Sequence, residues 1–209
     1  NYTGAVPVVT YTVSDGVLTS TATLTLAIGA VNDAPAPTND SGSVTEDAPL
    51  SVAAASGLLA NDSDTEGSPL SVTQFTIAGD ATVHTPGSTA SIAGVGSLTV
   101  NADGSYSFAP EANYTGAVPV VTYSVSDGAL TSTATLSLAI TAVNDAPTAF
   151  NDAGSVTEDT TLSVAAASGL LANDADTEGS ALSITQFTVA GDATVHTPGS
   201  TASIAGVGS

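Results

Sequence analysis

The stretch VTYSVSDGALTSTATLSLAI, residues 121–140, alternates apolar and polar side chains on both sides of a Ser-Asp-Gly turn. Val121, Tyr123 and Val125 occupy alternate positions before the turn, and the apolar residues from 134 to 140 do the same after it. A period of two with one apolar face is typical of strands that cover a core on one side. The turn has the composition of a β-hairpin, in which glycine supplies a positive φ. The stretch therefore predicts two antiparallel strands joined by a tight turn.

The same kind of pattern recurs through the unit around this hairpin, and no amphipathic helical stretch interrupts it. We predict about seven strands near residues 43–46, 50–54, 69–77, 90–100, 104–109, 118–126 and 130–142. Seven strands in about 110 residues is the size of an immunoglobulin-like sandwich. The predicted fold is therefore all-β, a tandem series of immunoglobulin-like β-sandwiches.

The chain repeats itself with a period of 112 residues, since 83 of the 97 residues at positions 1–97 are identical to those at positions 113–209. A period of this length is one domain long and indicates a domain array. The Asn-Asp-Ala-Pro tract is the best boundary, because proline stops strand pairing. We predict the end of one unit at 1–35, a complete unit at 36–147, and the beginning of a third at 148–209. The partial units indicate either a window cut without regard to domain edges or chains that complete one another.

Charge is the second strong signal, with 20 acidic residues, no lysine or arginine, and a net charge of −20. Such a chain repels nucleic acid and anionic membrane surfaces. Clustered carboxylates without basic partners need a cation, and extracellular calcium is the most available hard divalent ion. The alternative is a solvated acidic surface that keeps a secreted protein in solution. Cysteine is absent, and no apolar run is long enough to span a membrane.

Strand alternation predicts that several acidic loops meet at one end of a unit. If successive strands alternate in direction, the loops at 61–67, 101–104 and 126–128 lie beside the incoming linker. The acids that would converge there are Asp62, Asp64, Glu66, Asp103, Asp127, Asp33 and Asp40. Carboxylates crowded in this way repel one another unless a metal binds.

The loop from Asp62 to Gly67 has the most ligand-like spacing, because oxygen donors at alternate positions followed by glycine wrap a calcium ion. It is not an EF-hand, since position twelve is Thr73 and flanking helices are lacking. The competing interpretation is a set of turns in which Asp side chains cap their own backbone, especially at Asp80, and at Asp103 and Asp127 if these lie outside the cluster. The corresponding candidates in the next copy are Asp145, Asp152, Asp174, Asp176 and Glu178.

Enzymatic chemistry is not expected from this sequence. There is no nucleophile elbow and no phosphate-binding loop with lysine. The acids lie in glycine- and asparagine-rich loops without nearby aromatic platforms, which argues against glycoside hydrolysis. We therefore predict no catalytic residue, no organic cofactor and no enzyme activity.

Several motifs in order resemble the cadherin-like and VCBS-type tandem repeats of giant bacterial surface adhesins, often of the RTX type. They are Val-Asn-Asp-Ala-Pro at the junction, Thr-Glu-Asp at 45–47, Leu-Leu-Ala-Asn-Asp at 58–62, Asn-x-Asp-Gly-x-Tyr-x-Phe at 101–108 and Thr-Tyr-x-Val-x-Asp-Gly at 122–128. The resemblance implies an extracellular immunoglobulin-like unit at the cell surface, calcium near the junctions, and a stalk role in adhesion or biofilm formation. It also implies that Asp33, Asp40, Asp62, Asp64 and Glu66 are the calcium ligands, although many relatives carry Asp at the position of Glu66.

We expect a calcium-stiffened extracellular spacer whose partners are the neighbouring repeats of the same chain. Without metal, the Asn-Asp-Ala-Pro joint would be a short flexible linker. The first alternative is a self-assembling extracellular fibre, a filament whose partial domains are completed by other copies. The second is a glycan- or protein-binding module, for which the sequence shows no aromatic patch.

Overall fold

The computed structural model describes residues 4–204 of the chain, which divides into two compact units, Asn1–Ala142 and Val143–Ser209. The first unit contains a separate hairpin followed by a complete domain. The second is described by itself below. None of the helical segments among residues 4–204 is long and apolar enough to cross a membrane.

The hairpin consists of β1 (Val9–Ser14) and β2 (Thr19–Leu24), which pair antiparallel from Val9 opposite Leu24 to Ser14 opposite Thr19. Its turn is held by the carboxylate of Asp15, which accepts hydrogen bonds from the backbone N–H groups of Val17 at 2.8 Å and Leu18 at 2.7 Å. The local sequence is therefore sufficient to form the turn.

The complete domain is a sandwich of two four-stranded sheets. Its strands are β3 (Asp40–Thr45), β4 (Leu50–Val52), β5 (Ser71–Ile77), β6 (Thr89–Ile92), β7 (Gly96–Val100), β8 (Tyr106–Pro110), β9 (Val121–Ser126) and β10 (Thr131–Thr141). One sheet has the order β3-β10-β9-β5 and the other β4-β8-β7-β6. Pairing is antiparallel except between β3 and β10, which are parallel. A short 3-10 turn, Ala54–Ser56, follows β4.

The all-β immunoglobulin-like prediction is confirmed, with one difference in the strands. The single strand predicted at 90–100 is two strands, β6 and β7, so that residues 36–147 hold eight strands. The run reverses at residues 93–95, where Gly94 has a φ of +69° and Val95 N–H bonds back to the Ile92 carbonyl at 2.9 Å. Apolar residues occupy even-numbered positions both before and after this turn, so the two strands read as one in the sequence, although Val95 within the turn is out of phase.

The core lies between the two sheets and is built from the alternate residues that the sequence pattern assigned inward. Its fully buried members include Val72, Phe75, Leu98, Val100, Phe108, Val121, Tyr123, Val125 and Leu136. Leu58, from the segment after β4, is also fully buried. Its N–H bonds to the Gly104 carbonyl at 2.9 Å, which ties that segment to the β7–β8 turn.

The described residues of the second unit, 143–204, form turns, isolated bridges and a 3-10 turn, Ala166–Ser168, but no strand. The physical reason is that a strand forms only where a partner strand bonds to it. In the complete domain β3 bonds to β10 and β5 bonds to β9. The corresponding segments here, 152–157 and 183–189, form no such ladder.

Candidate functional site

The linker, defined as residues 32–38, is bound to the acidic loop, defined as residues 61–68. Ala36 and Ser63 form an antiparallel bridge with N···O distances of 2.8 and 3.3 Å. The backbone N–H of Asp33 donates to Glu66 Oε2 at 3.0 Å, and that of Thr38 donates to Asp62 Oδ1 at 2.8 Å. The linker is therefore hydrogen-bonded along its length to the domain that follows it.

The acidic loop is shaped by its own carboxylates. Asp64 Oδ1 accepts the N–H groups of Glu66 at 3.1 Å and Ser68 at 2.9 Å, and Gly67 has a φ of +75°. The sharp turn predicted at this glycine is thus formed, because glycine reaches this backbone conformation without steric cost.

Asp40, at the start of β3, is joined to the core through Tyr123. The Tyr123 hydroxyl donates to Asp40 Oδ2 at 2.5 Å, and Asn61 Nδ2 donates to Asp40 Oδ1 at 3.1 Å. Burial raises the pKa of Asp40, an effect that these two hydrogen bonds partly offset. Burial and the neighbouring Asp40 charge also raise the pKa of Tyr123. Asp40 is therefore a carboxylate that the fold desolvates at a cost.

Asp62 lies close to Asp40, and its carboxylate is also desolvated by burial. Burial raises its pKa, the Thr38 N–H bond opposes that rise, and the charge of Asp40 adds to it. The second carboxylate oxygens of both Asp62 and Asp64, the Oδ2 atoms, are buried without a hydrogen-bond donor in the described structure. A buried charged oxygen without a partner is costly. No lysine or arginine exists to neutralise it.

Two further candidates use their carboxylates mainly in their own turns. Asp103 Oδ1 accepts the backbone N–H of Ser105 at 3.0 Å, as well as its hydroxyl. Asp127 caps the β9–β10 turn through Oδ1, but its Oδ2 accepts Asn32 Nδ2 at 2.7 Å. The pKa of each is lowered by these hydrogen bonds. Asp127 therefore joins the linker, whereas Asp103 follows the turn interpretation.

The second unit repeats much of this geometry. Phe150 N–H donates to Asp174 Oδ1 at 2.8 Å, Asp145 N–H to Glu178 Oε2 at 3.1 Å, and Ser180 N–H to Asp176 Oδ1 at 2.8 Å. Thr148 and Ala175 form the matching bridge. Asp152 differs from Asp40, because it borders an open groove and Asn173 bonds to the Asn151 carbonyl instead.

Within residues 4–204 the structure does not bring three Asp, Glu or His side chains close enough to hold a metal ion together. It does bring the linker and the acidic loop into contact in both units, with only oxygen atoms as candidate donors. The oxygen-only donor set and the two unpartnered Asp oxygens fit a hard cation such as calcium.

Sequence reasoning missed Tyr123 as part of this site and treated it as a core residue. A tyrosine on the inward face of a strand needs a hydrogen-bond partner for its hydroxyl, and the carboxylates at the acidic end of the domain can accept that bond. That requirement is the signal that could have identified it.

Comparison with protein families identifies the chain. The model of the bacterial cadherin-like domain matches residues 32–142, and the model of the cadherin-like domain matches residues 143–204. The chain belongs to the bacterial cadherin-like family. Cadherin-like domains are typically extracellular, generally bind calcium and are non-catalytic as families. This membership is consistent with an extracellular repeat of the adhesin type.

A search of the curated proteins finds no match for this cadherin-like chain. Among solved structures it is similar to endo-fucoidan hydrolase MfFcnA4 of glycoside hydrolase family 107, with 18% identity and a TM-score of 0.33. It is also similar to endo-fucoidan hydrolase MfFcnA9 of that family, with 16% identity and a TM-score of 0.27. The similar regions cover 65% and 66% of this chain but only 19% and 22% of those chains. Similarity at this level carries no argument about activity.

Proposed function

We propose that the chain is a calcium-stiffened extracellular spacer of a large bacterial surface adhesin, without catalytic activity. The observation that carries the proposal is the pair of buried, donor-less oxygens on Asp62 and Asp64 beside the linker. The cadherin-like membership supports it, and the motifs shared with RTX-type adhesin repeats support the role in adhesion and biofilm formation.

The residues proposed to hold calcium are Asp33 of the linker, Asp40 at the start of β3, and Asp62, Asp64 and Glu66 of the acidic loop, with Asp127 beside them through Asn32. Their counterparts are Asp145, Asp152, Asp174, Asp176 and Glu178. Bound calcium would supply the positive charge that the chain lacks. Asp103 is the weakest candidate, since its own turn already uses its carboxylate.

Stiffening follows from where these donors sit. The linker and the acidic loop are already joined by the backbone bridge between Ala36 and Ser63 and by two linker N–H groups that donate to loop carboxylates. An ion bound by both would add electrostatic contacts between the linker and the acidic loop and would oppose their separation. Because calcium is scarce in the cytosol and abundant outside cells, the joint would become rigid after export.

Calcium titration of the 209-residue chain by isothermal calorimetry tests the metal site. Asp62→Asn and Asp64→Asn should each remove binding at the central domain, because they delete the charge and keep the shape. Asp80→Asn is the matched control, since Asp80 caps its own turn through the Thr82 N–H at 2.8 Å and lies outside the site. No heat of binding in the unaltered chain, or equal loss in the control, would overturn the proposal.

X-ray scattering tests the spacer function separately. Calcium should lengthen the chain and narrow its range of dimensions, and a chelator should reverse both. Unchanged dimensions in the presence of proven calcium binding would leave a metal site but refute the stiffening.

A further inference from the structure

Two histidines are the only side chains of this sequence that can carry a positive charge, because it contains no lysine or arginine. They are His84 and its counterpart one period later, His196, and each lies four residues after an aspartate, Asp80 or Asp192. Histidine is the side chain whose charge ordinarily changes between about pH 5 and 8. The pH therefore decides whether either pair is an ion pair of opposite charges.

His84 covers the outer edge of β5, which is the outermost strand of its sheet. Its N–H donates to the Phe75 carbonyl at 2.9 Å, and its carbonyl accepts the Phe75 N–H at 3.0 Å. The imidazole stacks on the fully buried Phe75 ring, with the ring centroids 5.0 Å apart. Because a free strand edge presents unpaired backbone groups, this segment shields part of the edge and places the imidazole against the core.

Asp80 shapes the loop that brings His84 to this edge. Its N–H donates to the Ile77 carbonyl at 2.9 Å, and its Oδ1 accepts the Thr82 N–H at 2.8 Å. Its Oδ2 lies 3.4 Å from His84 Nε2, an atom that is buried and makes no hydrogen bond in the described structure. The carboxylate and the imidazole are therefore adjacent but not yet hydrogen-bonded.

The second unit contains the same loop with a shorter contact between the two side chains. His196 bridges to Phe187 and stacks on its ring, with the ring centroids 5.1 Å apart. There His196 Nε2 lies 3.0 Å from Asp192 Oδ2, which is hydrogen-bond distance. This loop conformation can therefore bring the carboxylate and the imidazole into a hydrogen bond.

The elements around His84 offer Asp80 as its counterion. Residues 71–77 and 81–100, which include β5, β6 and β7, contain no titratable side chain other than His84 itself. In the neighbouring strand β9 the only one is Tyr123, whose hydroxyl is bonded at the acidic end of the domain. A charge on His84 would therefore be balanced by Asp80 or left without a partner among these elements.

Asp80 stays ionised over the range in which a histidine titrates. Hydrogen bonds from the hydroxyl and the N–H of Thr82 lower its pKa, and the nearby His84 lowers it further. Its side chain is 39% exposed, whereas that of His84 is 15% exposed. The carboxylate is therefore partly hydrated, and an ion pair between the two side chains should be modest and screened by salt.

We propose that Asp80 and His84 form a pH-sensitive latch, in which protonated His84 donates to Asp80 and fixes residues 80–84 more firmly on the edge of β5. When His84 is neutral, the ring stacking and the two backbone hydrogen bonds act without the ion pair. The edge on which another strand could add is then exposed more often at neutral pH than in acid. This regulation goes beyond the spacer function and does not require calcium.

Hydrogen exchange of the Phe75 and His84 amides, followed by NMR on the 209-residue chain in chelator, tests the latch. Protection is corrected for intrinsic exchange and expressed relative to the amides of β9, so that changes in global stability cancel. It should rise about two- to fivefold between about pH 7.5 and about pH 5.5, as expected of a partly exposed ion pair. Salt at about 1 M should remove most of that rise.

Two variants separate the ion pair from other effects of acid. Asp80→Asn keeps an oxygen for the Thr82 N–H but removes the counterion, so acid should now lower the protection of both amides, since a buried charge without a partner is costly. Asp103→Asn is the matched control, because Asp103 caps its own turn through the Ser105 N–H and has no histidine within four residues. It should keep the rise.

Three results would overturn the proposal. The first is equal protection of the Phe75 and His84 amides at both pH values in the unaltered chain. The second is the same rise in Asp80→Asn as in Asp103→Asn. The third is a rise that high salt leaves unchanged, and this measurement needs no variant, so it remains decisive if Asp80→Asn does not fold.

Discussion

Replacing Tyr123 by phenylalanine should destabilise the central domain through one buried carboxylate. The ring stays in place, fully buried in the core, and only the hydroxyl that donates to Asp40 is removed. A hydrogen bond to a charged group contributes about 1.5–3 kcal/mol, and its loss leaves Asp40 Oδ2 desolvated. We expect Tyr123→Phe to lower the free energy of unfolding by about 2 kcal/mol, which for a domain of about 110 residues lowers Tm by roughly 8 °C.

The pH dependence of this loss of stability distinguishes a missing hydrogen bond to Asp40 from a packing defect. Burial raises the pKa of Asp40 above 3.8, so the carboxyl becomes protonated in the folded state as the pH falls from neutral toward that value. A protonated Asp40 no longer needs the donor. The difference between Tyr123→Phe and the unaltered chain should therefore shrink at acidic pH, whereas a packing defect would not change.

Urea unfolding followed by circular dichroism, in chelator and at low protein concentration, measures both quantities. Tyr11→Phe is the matched control, because the same residue one period earlier has an exposed ring. Equal midpoints for Tyr123→Phe and the unaltered chain at neutral pH would refute the reasoning. So would a difference that is the same at all pH values.

Three further predictions concern the metal-free domain, the metal and a tight backbone contact. In chelator, the melting temperature should rise as the pH falls from neutral toward 3.8, because burial raises the pKa of Asp40 and Asp62 in the folded state. The double variant Asp40→Asn, Asp62→Asn should show a smaller rise in its melting curves. Calcium at about a hundred times its Kd should add about 2.7 kcal/mol, and calorimetric melting should lose that increment in Asp62→Asn. Gly57→Ala should cost about 3 kcal/mol in urea titrations, because its Cβ would overlap the Gly104 carbonyl. Gly169→Ala, with its nearest neighbour at 3.4 Å, should cost little.

The strand pattern, the turns and the repeat were readable from the sequence because each depends on neighbours along the chain. Alternation at 121–140 predicted β9 and β10, and the Asp-Gly turn between them formed as expected. The reversal at Gly94 was missed because the apolar residues of both strands of that hairpin lie at even-numbered positions, so that the two strands read as one. The domain boundaries and the metal ligands stay predictions.

The sequence also indicated that acids would gather beside the linker, since strand alternation sends the acidic loops to one end. It did not show how each acid would be used. Asp40 meets Tyr123 across 83 residues of chain, and Asp62 Oδ2 is buried without a donor although the linker N–H of Thr38 bonds to the other oxygen of that carboxylate. Such contacts depend on which strands lie side by side, and no local pattern encodes that.

Tyr11 and Tyr123 show most clearly what the local sequence determines and what the tertiary structure adds. Both lie in nearly the same sequence and in the same hairpin register. The sequence alone determined that each would sit in a two-stranded hairpin with an apolar face. Only the tertiary structure decided that the Tyr123 ring is buried with its hydroxyl on a carboxylate, because burial requires a second sheet and sequence-distant strands to cover it.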